Sequence, residues 1–362
     1  MTNNQVWVIL LSCIMACATP NSGQEGLNSG PLDFPQDLIF VNGRLVVGST
    51  GYDSVSWRPG YLHIFDVPSL QRLQTHRVTQ KNPQRLVLHG DELLVLNTGT
   101  YDFSDFEQPR AATNGGIDRV PLERILDADA VDPMIRLDRT VFPAPVDMAL
   151  DSDGHLWITS GLAPKIRIQN QDSELGTIEF PNSGGTSLAS IKRWREHMII
   201  VDFTTDTAHL YSTNMTHQCS IELGDFPDEM EGASAPTVFD DSLYYLLSLS
   251  GVVKRLPLST TPLCDGKPQT VVSPLGQVPN ALTVNHEGIF VVHSADNNLI
   301  QYAHDTGEEL KRYAFPLGSN PWTMAISKDG QHIAVSEWSL HQVSLIDRRT
   351  DEITRLQIQP EE

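Results

Sequence analysis

Five segments of this chain begin at a proline and read alike. They are PQDLIFVNGRLVVGS from Pro35, PQRLVLHGDELLVLNTG from Pro83, PVDMALDSDGHLWITSG from Pro145, PNALTVNHEGIFVVHSADN from Pro279 and PWTMAISKDGQHIAVSEWS from Pro321. Each runs through an apolar stretch, turns at a Gly- or Asp-containing pair, and continues in a second apolar stretch. Two weaker copies fill the gap, TSLASIKRWREHMIIVDFT from Thr186 and APTVFDDSLYYLLSLSG from Ala235, which makes seven. Internal repetition of this kind constrains the fold more than any local pattern, because every copy has to find the same surroundings.

Two further strand-like pieces follow within a copy, YLHIFDV and LQRLQTHRV in the first, PKIRIQNQ and LGTIEFP in the third. Alternating apolar residues punctuated by Gly, Asp and Asn indicate strands, and no long amphipathic helix is evident; PLERILDADAV, from Pro121 to Val131, amounts to a turn or two. Four strands per copy, with starts mostly 41 to 49 residues apart, predict an all-β, seven-bladed β-propeller of four antiparallel strands per blade. A lone blade cannot bury both faces, whereas blades arranged in a closed ring cover one another. The expected organisation is a signal segment over 1–16, a tether over 17–34 and the propeller over 35–362, with no strand lent from one terminus to the other's blade.

The segment from Val6 to Ala16, VWVILLSCIMA, is apolar but too short to span a bilayer in the ordinary way. It ends in Ile14-Met15-Ala16-Cys17, which resembles the bacterial lipobox and marks Cys17 for lipidation; cleavage after Ala18 is the competing reading. The polar ATPNSGQEGLNSGP that follows suits a tether. The expected address is therefore the outer membrane or cell surface as a lipoprotein, or the periplasm, with the membrane a partner through the lipid anchor. Beyond the signal region two cysteines remain, Cys219 and Cys264, a candidate disulfide in an exported protein. The net charge of −20, from 45 acidic against 25 basic residues, repels phosphate backbones, so no nucleic-acid partner is expected.

VSLIDRRTDEITRL resembles the repeat of YVTN-type, surface-antigen-like propellers. GHLWITSGLAPKIRIQNQDSELGTIEFP is similar to the repeat of the streptogramin B lyases and, more loosely, to NHL repeats. The resemblance spans the mature chain at repeat level and is specific for fold, while this architecture carries many unrelated functions. It implies that the first strand of each blade lines the central channel, and that ligands bind over the channel on the face carrying the loops before first strands and between second and third strands.

Two sets of residues belong on that face. One follows each blade-opening proline: Gln36 and Asp37, Gln84 and Arg85, Val146 and Asp147, Asn280, and Trp322. The other ends each second strand: Thr50, Asn97, Ser160, Asp202, Ser248, His293 and Glu337. His293 and Glu337 fall at equivalent positions of neighbouring blades, a candidate acid/base or divalent-cation pair, Mg or Ca. Ser336-Glu337-Trp338 is similar to the Thr-Glu-Trp of the lyases, where a glutamate and magnesium belong to the site. Those enzymes also carry a histidine directly after the blade-opening proline, and here Asn280 and Trp322 stand in its place. The favoured function is a cell-envelope binding protein for a protein or small-molecule ligand; the alternative is a divalent-cation-dependent lyase or lactone hydrolase.

The loops STGYDSVSWRPG and NTGTYDFSDFEQPRAATNGG are the same loop in consecutive blades, longer than their counterparts in blades 3, 6 and 7. Their Tyr52, Trp57, Tyr101, Phe103 and Phe106 make an aromatic interaction edge. Other motifs dissolve. Asp151 to Gly154, DSDG, resembles the start of a calcium loop but aligns with the hairpin turns of the other copies. Leu126 to Pro133 reads as a solvated loop, and GDFPDEMEG, from Gly224 to Gly232, as an exposed connection. Phosphate-cradling glycine loops and the G-x-S-x-G elbow are absent.

Overall fold

In a computed structural model, the described residues are 32–52, 57–102, 110–127, 135–170, 173–179, 189–226, 229–259 and 261–358. They form seven four-stranded antiparallel sheets. The innermost strands are Leu32–Val41, Pro83–His89, Pro145–Leu150, Ala189–Trp194, Ala233–Phe239, Pro279–Asn285 and Pro321–Ile326. Each packs against the next, and the seventh packs against the first, closing the ring. Every blade is built from the strands of its own repeat, so among the described residues no strand is exchanged between the termini. Blade 2 holds the insertion: a two-residue strand pair, Tyr101–Asp102 with Arg110–Ala111, and the helix Leu122–Leu126.

Seven apolar clusters fill seven seams between blades. On the second strand of blade 6, Ile289 and Val291 face blade 5 while Phe290 and Val292 face blade 7. Strands covered on both faces carry unbroken apolar runs rather than a half-polar alternation, which is why the second strands read as continuous hydrophobic stretches.

The opening proline has a structural cause. The innermost strand has a free inner edge, where a residue without N–H is tolerated. In blades 1, 2, 3, 6 and 7 the register shifts just after it, as between Pro35 and Asp37 or Pro279 and Ala281. Such a bulge re-aims the next side chains: Gln36, Gln84, Val146, Asn280 and Trp322 are all partly exposed at this point. In four blades the residue before the proline is left-handed, with φ of 57° at Asn82, 53° at Ala144, 53° at Val278 and 48° at Asn320. Asparagine adopts this conformation readily; a β-branched valine does not. Close approach also selects Gly60 and Gly115, where a Cβ would collide with Pro83 and Pro145 of the following blade.

The ring closes without a shared strand, and the first innermost strand begins three residues earlier than the repeats predict, at Leu32 rather than Pro35. This extension brings Phe34 onto Trp338 of blade 7, stacked at 4.1 Å between centroids, with His341 at 4.7 Å and Trp57 at 6.3 Å. Beneath them Leu38, Val47 and Phe65 meet Ala334, Val343 and Leu345. Cys219, on the outer strand of blade 4, and Cys264, in the loop before the outer strand of blade 5, form a disulfide with Cα atoms 6.4 Å apart. Phe34→Ala is expected to lower unfolding free energy by about 3 kcal/mol, the usual cost of emptying a buried aromatic site; urea unfolding at neutral pH measures it.

Candidate functional site

The bulges bring one of the two residue sets together. Asp37, Arg85 and Asp147, two residues after the opening prolines of blades 1, 2 and 3, form a chain of charges across neighbouring innermost strands. Arg85 Nη1 lies 3.7 Å from Asp37 Oδ1, and its Nε lies 3.0 Å from Asp147 Oδ1. Lys192 of blade 4 extends the chain, its Nζ 3.4 Å from Asp147 Oδ2. The carboxylates also satisfy backbone at inner edges: the Leu86 N–H donates to Asp37 Oδ2 at 2.8 Å and the Ile191 N–H to Asp147 Oδ2 at 3.0 Å.

The electrostatics differ along this chain. Burial raises the Asp37 carboxyl, against the pull of Arg85 and of the Leu86 N–H. Burial acts on Asp147 in the same direction, but Lys192, Arg85 and two backbone N–H groups outweigh it and hold this carboxyl below its usual value. Burial, then the like charge of Arg85, lowers the Lys192 ammonium. The cations are the accessible members: the Arg85 and Lys192 side chains are 34% and 24% exposed, those of Asp37 and Asp147 only 8% and 11%. Sequence reasoning missed Lys192 because it lies two places further along its strand than the position of Arg85 and Asp147, which Ser190 takes in blade 4.

The second set is not brought together. Each residue that ends a second strand turns into the seam with the preceding blade, where the polar ones are bonded through part of their side chains while Asn97 Oδ1, Asp202 Oδ2 and His293 Nε2 have no partner among the described residues. Asn97 Nδ2 donates to Asp118 Oδ2 at 3.1 Å. Asp202 Oδ1 accepts from the N–H and hydroxyl of Thr204 at 2.9 and 2.8 Å. His293 Nδ1 lies 3.0 Å from Asn298 Oδ1. Glu337 accepts from Gln342 Nε2 at 2.9 Å and from the Ser344 hydroxyl. Strand registers place Ser49 and Leu247, rather than Thr50 and Ser248, at this position, and Ser49 Oγ lies 2.8 Å from His63 Nε2.

His293 shares the face of Ile289 and Val291, toward blade 5; Glu337 shares the face of Ile333 and Val335, toward blade 6. The sheet of blade 6 therefore stands between them, and neither has exposed surface. Burial lowers the His293 imidazole, against its bond to Asn298.

Asn280 donates to the Ser294 hydroxyl. Trp322 stands partly exposed in the bulge of blade 7. Among the aromatic loop residues Trp57 packs near Phe34, whereas the side chains of Tyr52 and Tyr101, and Phe103 and Phe106 entirely, lie outside the described residues, as does Cys17. Asp151, Asp153 and His155 form a group of possible cation ligands on the opposite face. Asp151 is already taken there by the N–H groups of Asp153 and His155 at 2.9 and 2.8 Å and by Trp157 Nε1 at 2.9 Å, which fits a turn. A cleft of about 390 Å³ between blades 7 and 1, lined by Val67, Leu70, His332 and Arg349 among others, also opens on that face, away from the charge chain.

The segment from Gly224 to Gly232 is not simply an exposed connection. Glu231 is buried and accepts from the Phe226 N–H at 3.2 Å and from the Asp225 N–H and Ser250 hydroxyl, while Asp206 accepts the N–H groups of Glu231 and Ala233, both at 2.6 Å.

No protein-family model matches this chain, and no curated protein sequence does. Solved structures do match. Virginiamycin B lyase from Staphylococcus aureus aligns with TM-score 0.62 at 13% identity, over 87% of this chain and 94% of the lyase. The periplasmic gluconolactonase of Pseudomonas aeruginosa aligns with TM-score 0.63 at 15% identity, over 92% and 97%. A functionally unknown protein from Desulfotomaculum acetoxidans aligns with TM-score 0.58 at 10% identity, over 82% and 92%. At these identities the likeness establishes the propeller fold.

Burial pushes the Asp206 carboxyl up to about 6, against its two backbone donors. A raised folded-state value means stability that is present below the unfolded value and lost as pH rises through about 6. The stability of the wild type relative to Asp206→Asn should therefore fall by up to about 3 kcal/mol between pH 4 and pH 7; urea unfolding across that range measures the difference, and a flat difference contradicts it.

Proposed function

We propose that this protein is an envelope binding protein that takes a small anionic ligand at the channel mouth. The observation that carries this reading is the asymmetry of the charge chain: Arg85 and Lys192 expose a quarter to a third of their side chains, while their carboxylate partners lie behind them. A guanidinium and an ammonium in a walled channel can hold a carboxylate or phosphate through charge-assisted hydrogen bonds, each stronger than a neutral one. The described ends of the loops of blades 1 and 2, at Trp57 and at Arg110, flank the same face.

A divalent-cation-dependent lyase or lactone hydrolase is a second reading, supported by the names of the lyase and gluconolactonase neighbours. It needs a site other than His293 and Glu337, which are enclosed in separate seams. The proposed address is a lipid-anchored one. The first strand begins at Leu32 on the ligand face, so a tether from Cys17 would reach up to about 50 Å and hold this face toward the anchoring membrane.

A thermal-shift panel of butyrate, a sugar acid and phosphate tests the ligand class. At least one anion should raise Tm at millimolar concentration, and Arg85→Gln and Lys192→Gln should each weaken its binding about tenfold or more. If no anion in the panel stabilises the wild type, the reading fails. For the anchor, Cys17→Ser should move the protein from the membrane fraction to the soluble fraction; retention in the membrane fraction contradicts lipidation at that residue.

A further inference from the structure

Four blades carry the charge chain; in the remaining sector of the same face exposed apolar side chains stand among polar ones, Asn280, Gln277 and Asp296. Val278 immediately precedes the innermost strand of blade 6 and is 38% exposed. Its φ of 53° is left-handed, a conformation that costs a β-branched residue of order 1 kcal/mol or more. Blades 2 and 7 place asparagine at the equivalent position, Asn82 and Asn320, with φ of 57° and 48°. Here an apolar side chain is kept at the rim where a polar residue suits the backbone better.

Trp322, in the bulge of blade 7, is the one aromatic side chain among the residues that follow the opening prolines. Leu317, on the loop leading into the same strand, is 94% exposed. That loop is not loose: the Ser319 N–H donates to the Pro316 carbonyl at 3.0 Å, and Asn297 Oδ1 accepts from the Ser319 hydroxyl at 3.1 Å and the Asn320 N–H at 3.2 Å. The leucine is thus held out in water by a fixed backbone. In a closed ring of seven, blades 6 and 7 stand three places from blade 3 in either direction, and three places separate each from at least one blade of the cationic pair. The blades that carry these apolar residues therefore stand across the ring from Arg85 and its neighbours.

We propose that the ligand is an amphipathic carboxylate, its carboxylate held by Arg85 and Lys192 and its hydrocarbon portion laid on Trp322, Val278 and Leu317. This rests on the anion site proposed above and adds the second half of the ligand. No bond is made or broken. A carboxylate removed from water at one side of the mouth gains contact area at the other, so affinity should grow with chain length.

The test is titration calorimetry with straight-chain carboxylates from butyrate to decanoate, kept below micelle formation, with octyltrimethylammonium as the probe of opposite charge. Affinity should rise about tenfold for every two methylenes that become fully buried. Trp322→Ala should flatten that dependence, and so should Val278→Asn, which puts at this position the residue that blades 2 and 7 already use and so keeps the fold. Arg85→Gln should weaken all chain lengths by a similar factor and leave the dependence on length intact. Affinity independent of chain length but sensitive to Arg85→Gln overturns the amphipathic ligand while the anion site stands. Octyltrimethylammonium binding as tightly as octanoate, insensitive to Arg85→Gln, overturns both, as does an absence of binding by every carboxylate.

Discussion

The seam between blade 7 and blade 1 is the contact on which the rest of the ring depends. Six seams join sheets that follow one another in the chain, so a short connection holds their partners close. The seventh joins residues near 32 to residues near 358, and the chain-entropy cost of bringing such distant segments together falls there. Propellers that exchange a strand between termini offset that cost with a ladder of hydrogen bonds; among the described residues there is no such ladder here. It relies on the apolar cluster around Leu38, Phe65, Val343 and Leu345 and on the stack of Phe34 over Trp338. The three residues Leu32 to Phe34 are therefore part of the fold, although they precede the first repeat.

Closure also explains where polar chemistry can sit. Second and third strands are enclosed on both faces, so a polar side chain there must find its partner inside the seam or carry the cost of an unsatisfied buried group. The polar ends of the second strands do both: Asn97 bonds Asp118, His293 bonds Asn298 and Glu337 bonds Gln342 and Ser344, while Asn97 Oδ1 and His293 Nε2 stay buried without a partner among the described residues. The innermost strand of each blade has an edge toward the channel that is free of a ladder partner. The proline and the bulge at the start of blade 2 turn Arg85 toward that edge, and Lys192 reaches it from a regular strand that has neither.

The same reasoning shows what was legible in the sequence. The sheets, their number and their order could be read, because the repeat period and the apolar alternation are imposed by every seam at once. The pairing of Cys219 with Cys264 was legible from the lack of any other partner beyond the signal region. Alignment also found the equivalence of His293 and Glu337, but equivalence has the opposite consequence from the one expected. Copies of one position on a second strand are distributed one to a seam, with a sheet between successive members. Copies of a position on the first strand surround a common axis and converge, as Asp37, Arg85 and Asp147 do. Lys192 was hidden because it is not a copy of the position of Arg85 and Asp147 but lies two places further along its strand, and the single-residue shift at Ser49 was hidden because the strand continues past Pro35 to Leu32.

An excess of twenty negative charges sets a condition on any anion at this mouth. The acidic exterior repels such a ligand at a distance, but at physiological salt that repulsion is screened beyond about 8 Å. Inside that range the nearest charges decide, and those exposed to the channel are Arg85 and Lys192, with Asp37 and Asp147 withdrawn behind them. The buried carboxylates fix the position of the cations and also cancel most of their field. A purely ionic ligand therefore gains its attraction through direct charge-assisted hydrogen bonds to the exposed cationic heads rather than from the field at a distance. Contact with Trp322, Val278 and Leu317 carries no such cancellation, since apolar burial is indifferent to the sign of the surrounding charge. A mouth built from neutralised cations on one side and exposed hydrocarbon on the other is matched by a ligand whose affinity comes from its hydrocarbon and whose orientation comes from its charge.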